Sequence, residues 1–176
     1  VYPDGSMTPE LNEIPVGKKL HVSFPEGSFS MKKFFQATLH ATHLVLLGAG
    51  TGITPLIRLM LEALKNEVKT LFVLFNRTED DIPWKAELDA VVVTHPKLFR
   101  VSHVLSNPSS LWKNFKGHIR RDLLEELLPP IFPIMGEDSE VLPFIAICGP
   151  NPFTKLGLSL LEEMGCSSEN IFAFTG

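Results

Sequence analysis

Two short stretches hold residue types that suit chemistry done close to the backbone. GAGTGITP, residues 48–55, sets Gly48, Gly50 and Gly52 among Thr51 and Thr54, ahead of Pro55. FIAICGPNP, residues 144–152, runs Phe144 to Ile147 into Cys148 and then turns through Gly149, Pro150, Asn151 and Pro152. Glycines in the first stretch let a ligand approach the chain and leave a helix N-terminus open, where free N–H groups attract anions. A bare strand-to-helix turn is the alternative, but one glycine suffices for that, and the extra glycines and threonines favour a ligand. The stretch is no Walker A loop, because no Gly-Lys-Ser/Thr follows, and Ile53 stands where the dinucleotide fingerprint wants its third glycine. In the second stretch a thiol, a glycine and fixed prolines leave room for something flat. Cys148 is either a small buried hydrophobe or a wall of that site, since no His or Lys beside it in sequence would make it a nucleophile.

The surrounding elements decide where these turns lie. Near-continuous apolar runs predict buried strands at 43–47, 70–75, 99–105, 144–148 and 171–174, alternating with helices at 55–64, 84–93, 121–128 and 153–164. Leu56, Leu59, Met60, Ala63 and Leu64 recur at helical spacing, with Thr54 as the expected N-cap and Pro55 at the first helical position. Strand and helix in alternation imply an α/β fold: a five-stranded parallel, doubly wound sheet in the order 3-2-1-4-5, with helices on both faces. In such a sheet ligands bind beyond the carboxyl ends of the strands, where strand order reverses. Gly48–Thr51, Asn76-Arg77, Ser106-Asn107, Cys148–Pro150 and Phe174 all follow strand ends, so they share one rim. The order places the GAGTG and CGP turns side by side at the switch point.

Residues 1 to about 30 read differently, with turn residues among short β-prone runs. Residues 19–24 (KLHVSF) alternate polar and apolar, as a half-buried antiparallel strand does, and Pro25–Ser28 would close it as a turn. Residues 129–143 form a proline-rich acidic loop, expected as a surface insertion. The run Thr78-Glu79-Asp80-Asp81 suits either a solvated helix start or a wall facing an adenosine. His40 and His43 lack a third ligand at metal spacing, and no metal is expected.

The totals narrow the field. The chain has 176 residues, 44% of them hydrophobic, enough for one α/β domain with a small appendage. A net charge of −4 without a basic stripe argues against a nucleic-acid partner. Two cysteines cannot build a disulfide framework, so a reducing compartment is expected. The longest apolar tract, around HLVLLGAGTGITPLIRLMLEAL, is broken by Gly, Pro, Arg58 and Glu62, and no membrane span is expected. The first residue is Val1, and the chain is expected to be part of something longer.

GAGTGITP, then FNRTEDDI, then CGPNPF and a terminal aromatic together resemble the pyridine-nucleotide lobe of the NADH–cytochrome b5 reductases, within the ferredoxin–NADP reductase-like flavoenzymes. VLSNPSSLWKNFKGHI is most similar to members in which that lobe is fused to a cytochrome b5 domain. The resemblance divides the chain into residues 1–32, a remnant of an antiparallel FAD-binding β-barrel, and residues 33–176, an NAD(P)H-binding domain. It makes Gly5, Ser6, Met7 and Thr8 a flavin-pyrophosphate loop. The barrel's Arg-x-Tyr-Thr/Ser motif is missing, so the chain alone is expected to be inactive. The resemblance further puts Thr54 and Pro55 against the flavin, and Gly50 and Thr51 against the nicotinamide and its pyrophosphate, with Gly48 and Gly52 also among the cofactor-binding residues. Asn76, Arg77 and Thr78 would flank the adenosine ribose. Cys148 would sit by the nicotinamide C4, with Gly149, Pro150 and Phe153 shaping the pocket and Phe174 as the family's terminal aromatic.

In function, the resemblance implies an oxidoreductase passing hydride from NAD(P)H to FAD and electrons to cytochrome b5 or a similar haem acceptor, with Cys148 and Thr54 at the chemical centre. The reductase module of an oxygenase or nitrate reductase, or a nucleotide-binding domain without turnover, are the competing readings. The resemblance also implies the cytoplasmic side, with endoplasmic-reticulum association left open. Two departures matter. Ser106 replaces the Asp that favours NADH in the family, which predicts that NADPH is accepted beside NADH. Thr175 and Gly176 extend the chain past Phe174.

Overall fold

The computed structural model describes residues 7–22, 30, 34, 36, 41, 43–128 and 143–174. A short helix, α1 (Thr8–Asn12), buries none of its residues. The main body then runs β1 (Leu44–Ala49), α2 (Ile53–Lys65), β2 (Thr70–Asn76), α3 (Lys85–Thr94), β3 (Phe99–Leu105), β4 (Phe115–Lys116), α4 (Arg121–Leu127), β5 (Phe144–Cys148), α5 (Asn151–Glu163) and β6 (Ile171–Phe174). The strands form one parallel sheet in the order β4-β3-β2-β1-β5-β6.

Alternation along β1 explains the layers. Every β1 residue is buried, because β2 and β5 flank it and helices cover both faces. Leu44 and Leu46 join Phe72, Leu74 and the α2 residues Leu56, Leu59 and Met60 on one face. Val45 and Leu47 join Val73, Leu123, Leu124 and Leu161 on the other, beneath α4 and α5. Gly48 closes the first face: a Cβ there would meet Leu74 Cδ2 at 3.0 Å and Leu56 Cδ1 at 3.2 Å, so the missing side chain lets α2 pack onto the sheet.

Several expectations need correction. Among the described residues the sheet has six strands rather than five. The extra strand, β4, pairs only Phe115 with Val104 and Lys116 with Leu105, too short a run to show a period in sequence. The α2 helix starts at Ile53 with Gly52 at the N-cap, so Thr54 lies inside its first turn. A 3-10 turn over Gly50–Gly52 feeds straight into the helix and leaves no extended cap position; Thr54 Oγ1 instead donates to the Thr51 carbonyl at 2.8 Å. Lys19 to Val22 form no strand, and Leu20 and Val22 are 55% and 85% exposed. Alternation permits a strand but only a partner strand stabilises one. Residues 23 and 24, the Pro25–Ser28 turn, Gly5, Ser6, residues 129–142, Thr175 and Gly176 lie outside the described residues. No helix among the described residues is long and apolar enough to cross a membrane.

One buried polar residue has a consequence for pH. His103 on β3 is 7% exposed, and neither ring nitrogen has a hydrogen-bond partner among the described residues. Burial, with the charge of Lys85 and against that of Asp89, holds its pKa below the ordinary 6.5. The unfolded chain therefore binds a proton near pH 6.5 that the fold does not, so stability is full above that pH and falls below it. Denaturation at intervals from pH 5 to 8 is expected to show this loss, and His103→Leu to remove that part of the slope. An unchanged slope in the variant refutes the assignment.

Candidate functional site

The carboxyl ends of β1 and β5 lie next to each other because β1 occupies the switch point, with Gly48 opposite Cys148. Beyond those ends the two glycine turns touch. A Cβ on Gly52 would overlap the Cys148 carbonyl oxygen and come within 2.7 Å of the Gly149 nitrogen. One on Gly149 would lie 2.7 Å from Phe153 Cδ1 and 2.9 Å from the Ala49 Cβ. Gly52 is demanded by backbone meeting backbone, and Gly149 by the Phe153 ring and the Ala49 methyl group packed against it. Gly50 differs: its φ is +53°, and a Cβ there would meet nothing within 4 Å. Its open face is the recess that a ligand could fill.

Two helix N-termini converge on the same rim. Neither α2 nor α5 has a side-chain cap or an acid in its first turn, so the N–H groups there keep their pull on anions. On α5, Thr154 is buried and donates through Oγ1 to the Gly149 carbonyl at 3.3 Å, fixing the CGP turn to the helix. Burial pushes the Cys148 thiol pKa up, so the group is a neutral thiol and no nucleophile at neutral pH.

A rim pocket of about 450 Å³ opens between these turns and the ends of β2 and β3. Of the residues expected from sequence, Gly50, Asn76, Ser106, Pro150 and Phe153 line it. Phe153 also stacks at a tilt on Phe75, ring centres 5.2 Å apart. Thr51, Thr54, Pro55 and Cys148 stand on the adjoining turns without lining it, and Arg77 and Thr78 belong to the loop after β2. That loop is a 3-10 turn, Glu79–Asp81, started by a capping box: Thr78 N and Oγ1 donate to Asp81 Oδ2 at 2.9 and 2.7 Å. These bonds hold the Asp81 carboxyl below its usual pKa, and the acidic run reads as a solvated helix start. Phe174 ends β6 beside Cys148 and meets Phe172 edge-on. Met7 is 68% exposed next to Thr8 at the start of α1.

Sequence reasoning missed Gly117, His118 and Ile119, which close the pocket after β4. Gly117, with φ of +108°, was the one available signal, and it meant nothing before β4 was recognised. A larger cavity of about 860 Å³ follows the outer edge of β3 past Lys97, Arg100 and His103. None of the rim residues lines it, and it lacks the paired glycine turns, so the smaller pocket is the candidate site.

Residues 46–156 match the family described as Oxidoreductase NAD-binding domain. Cytochrome b5 reductase 4 of Rattus norvegicus is 40% identical over 99% of this chain, which spans 32% of that protein's length. The structure of the CS-b5R domains of human Ncb5or, in its NAD+ form, superposes with a TM-score of 0.84 at 36% identity, covering 99% of this chain and 47% of that one. The cytochrome b5 reductase domain of Ulva prolifera nitrate reductase gives 0.65 at 27% identity, over 76% and 50% of the two chains. The chain spans about a third of the length of such curated relatives. With its switch-point turns, uncapped helix ends and rim pocket, the chain belongs to the oxidoreductase NAD-binding domain family, and within it to the cytochrome b5 reductase type.

Proposed function

We propose that the chain binds NADH or NADPH on its carboxyl rim as the pyridine-nucleotide module of a flavoprotein reductase, whose FAD passes electrons to cytochrome b5 or a similar haem protein. The observation that carries this reading is the backbone contact of Gly52 with Cys148 and Gly149 at the switch point, beside a pocket that no side chain fills. The pocket's chemistry fits the cofactor. An open glycine and two uncapped helix ends suit a pyrophosphate, and Pro150 and Phe153 offer flat apolar walls to a ring.

When bound, the nicotinamide and the flavin supply the hydride chemistry, and the protein supplies geometry. The α2 N-terminus, with Gly50 and Thr51, holds the pyrophosphate; Asn76, Arg77, Thr78 and Ser106 flank the adenosine ribose. Cys148, kept as a neutral thiol, gives the nicotinamide a small, polarisable neighbour, and Thr54 and Pro55 face the flavin. Exposed Met7, Leu11, Leu20 and Val22 suit an apolar seam with the flavin-binding half.

Calorimetric titration of the chain with NAD+, NADH and NADPH tests the reading, with both reduced forms expected to bind. No binding, in this chain or with a flavin-binding half restored, would overturn it. Cys148→Ala is expected to leave affinity within about twofold but to slow hydride transfer in the flavin-containing form on the order of tenfold, as misplacement of a reacting ring does. An equal loss in both would make Cys148 a binding residue instead. The likeness to the nitrate reductase domain supports a second reading, in which the same lobe feeds a different acceptor. Reduction of cytochrome b5 by the restored flavoprotein separates the two.

A further inference from the structure

We propose that Glu79 is a positioning residue, a carboxylate clasp that ties the two loops flanking the adenosine half of the dinucleotide. The loops leave the carboxyl ends of β2 and β3. Close to the strands, the parallel ladder continues for two more bonds: Ser106 N donates to the Asn76 carbonyl at 3.0 Å and Asn107 N to the Arg77 carbonyl at 2.8 Å. Beyond that the ladder stops, and Glu79 takes over. Its Oε1 accepts from Ser109 Oγ at 2.5 Å and from Ser109 N at 3.0 Å, while Oε2 lies 3.2 Å from the same nitrogen. Glu79 and Ser109 are 30 positions apart in the chain. Asn76 and Ser106, where the ladder runs out into these two loops, are among the residues that line the rim pocket.

The residue types fit the task. A carboxylate can accept an N–H and an O–H together, and charge assistance makes such bonds short. Those bonds, that of the Ser109 hydroxyl foremost, hold the Glu79 carboxyl below its usual pKa, so it is ionised at neutral pH. Neither Glu79 nor Ser109 belongs to the hydrophobic core, and the clasp therefore adds order to two loops rather than buried area. Glu79 does not line the pocket itself. Its action runs through Asn76, Arg77 and Ser106, whose ordering a dinucleotide would otherwise have to bear on binding.

This inference rests on the dinucleotide reading above, and the test separates the two. The 176-residue chain and its Glu79→Ala, Glu79→Gln, Ser109→Ala and double alanine variants are titrated with ADP-ribose and NADH, and melted. Glu79→Ala is expected to weaken both ligands about fivefold without shifting the melting temperature. Ser109→Ala should do the same, the double variant no worse than either single one, and Glu79→Gln should recover part of the loss. Wild-type affinity in Glu79→Ala, additive losses in the double variant, or a loss that follows a lowered melting temperature would each overturn the clasp. If the unaltered chain binds neither ADP-ribose nor NADH, the dinucleotide reading fails first, and the clasp fails with it.

Discussion

Gly52→Ala is expected to destabilise the fold by about 3 kcal/mol and to abolish dinucleotide binding within the measurable range. The methyl group has nowhere to go. It would lie 2.5 Å from the Cys148 carbonyl carbon, overlap that carbonyl's oxygen and press on the Gly149 nitrogen. All three are backbone atoms at the end of a strand that pairs with β1 up to Cys148, so no rotamer change relieves the overlap. Either β5 parts from β1 at its carboxyl end, or α2 tilts off the core built by Leu56, Leu59 and Met60. A loss of that size is a large share of the roughly 5–15 kcal/mol that ordinarily holds a domain together. Gly50→Ala serves as the control. Its methyl group meets nothing within 4 Å, and only the left-handed backbone at φ +53° resists it, at about 1–2 kcal/mol. Chemical denaturation and NADH titration of both variants check the contrast. If Gly52→Ala is no worse than Gly50→Ala, the two turns are not packed against each other, and the switch-point site loses its foundation.

The contrast also marks how far the sequence could be read. Both stretches have glycines in excess of what a turn needs, and that excess was visible in the letters. What each glycine does was not. Gly48 admits α2 to the sheet, Gly52 admits the CGP turn, and Gly50 alone faces open space. The difference lies in neighbours far away along the chain, such as Leu74 for Gly48 and Cys148 for Gly52, which no local pattern encodes. The buried strands were legible because both faces are covered, leaving near-continuous apolar runs such as TLFVLFN in β2. The β4 strand was not, since two residues carry no period, and with it went Gly117, His118 and Ile119. The α2 start was misplaced by two residues for a related reason. Thr54 has the chemistry of a cap, but the tight turn at Gly50–Gly52 had already begun the helix, so the hydroxyl bonds back to Thr51. The alternation at residues 19–22 misled in the opposite sense, because a period of two describes a surface and not a partner.

Charge at the rim pocket sets the second large expected effect. Ser106→Asp is expected to weaken NADPH binding by about tenfold or more while leaving NADH within about twofold. Ser106 lines the rim pocket with Asn76, and its backbone nitrogen is already committed to the Asn76 carbonyl at 3.0 Å. A carboxylate at this position is therefore held at the pocket wall rather than free to swing with its loop. A 2′-phosphate would bring close to two negative charges against it, in a half-enclosed site where screening by water is weaker than at an open surface. The ribose hydroxyls of NADH, by contrast, can donate to a carboxylate as readily as to a serine hydroxyl. Arg77, whose carbonyl accepts from Asn107 N at 2.8 Å, stands on the neighbouring loop, from which its cation would attract a 2′-phosphate. Arg77→Ala should accordingly weaken NADPH more than NADH, by a smaller factor because Arg77 is exposed. The preference created by Ser106→Asp should shrink as salt is raised, which a steric cause would not do. Titrations with both cofactors at low and high ionic strength decide the matter. A ratio of NADH to NADPH affinity that Ser106→Asp leaves unchanged would mean that the ribose lies elsewhere on the rim, away from β3.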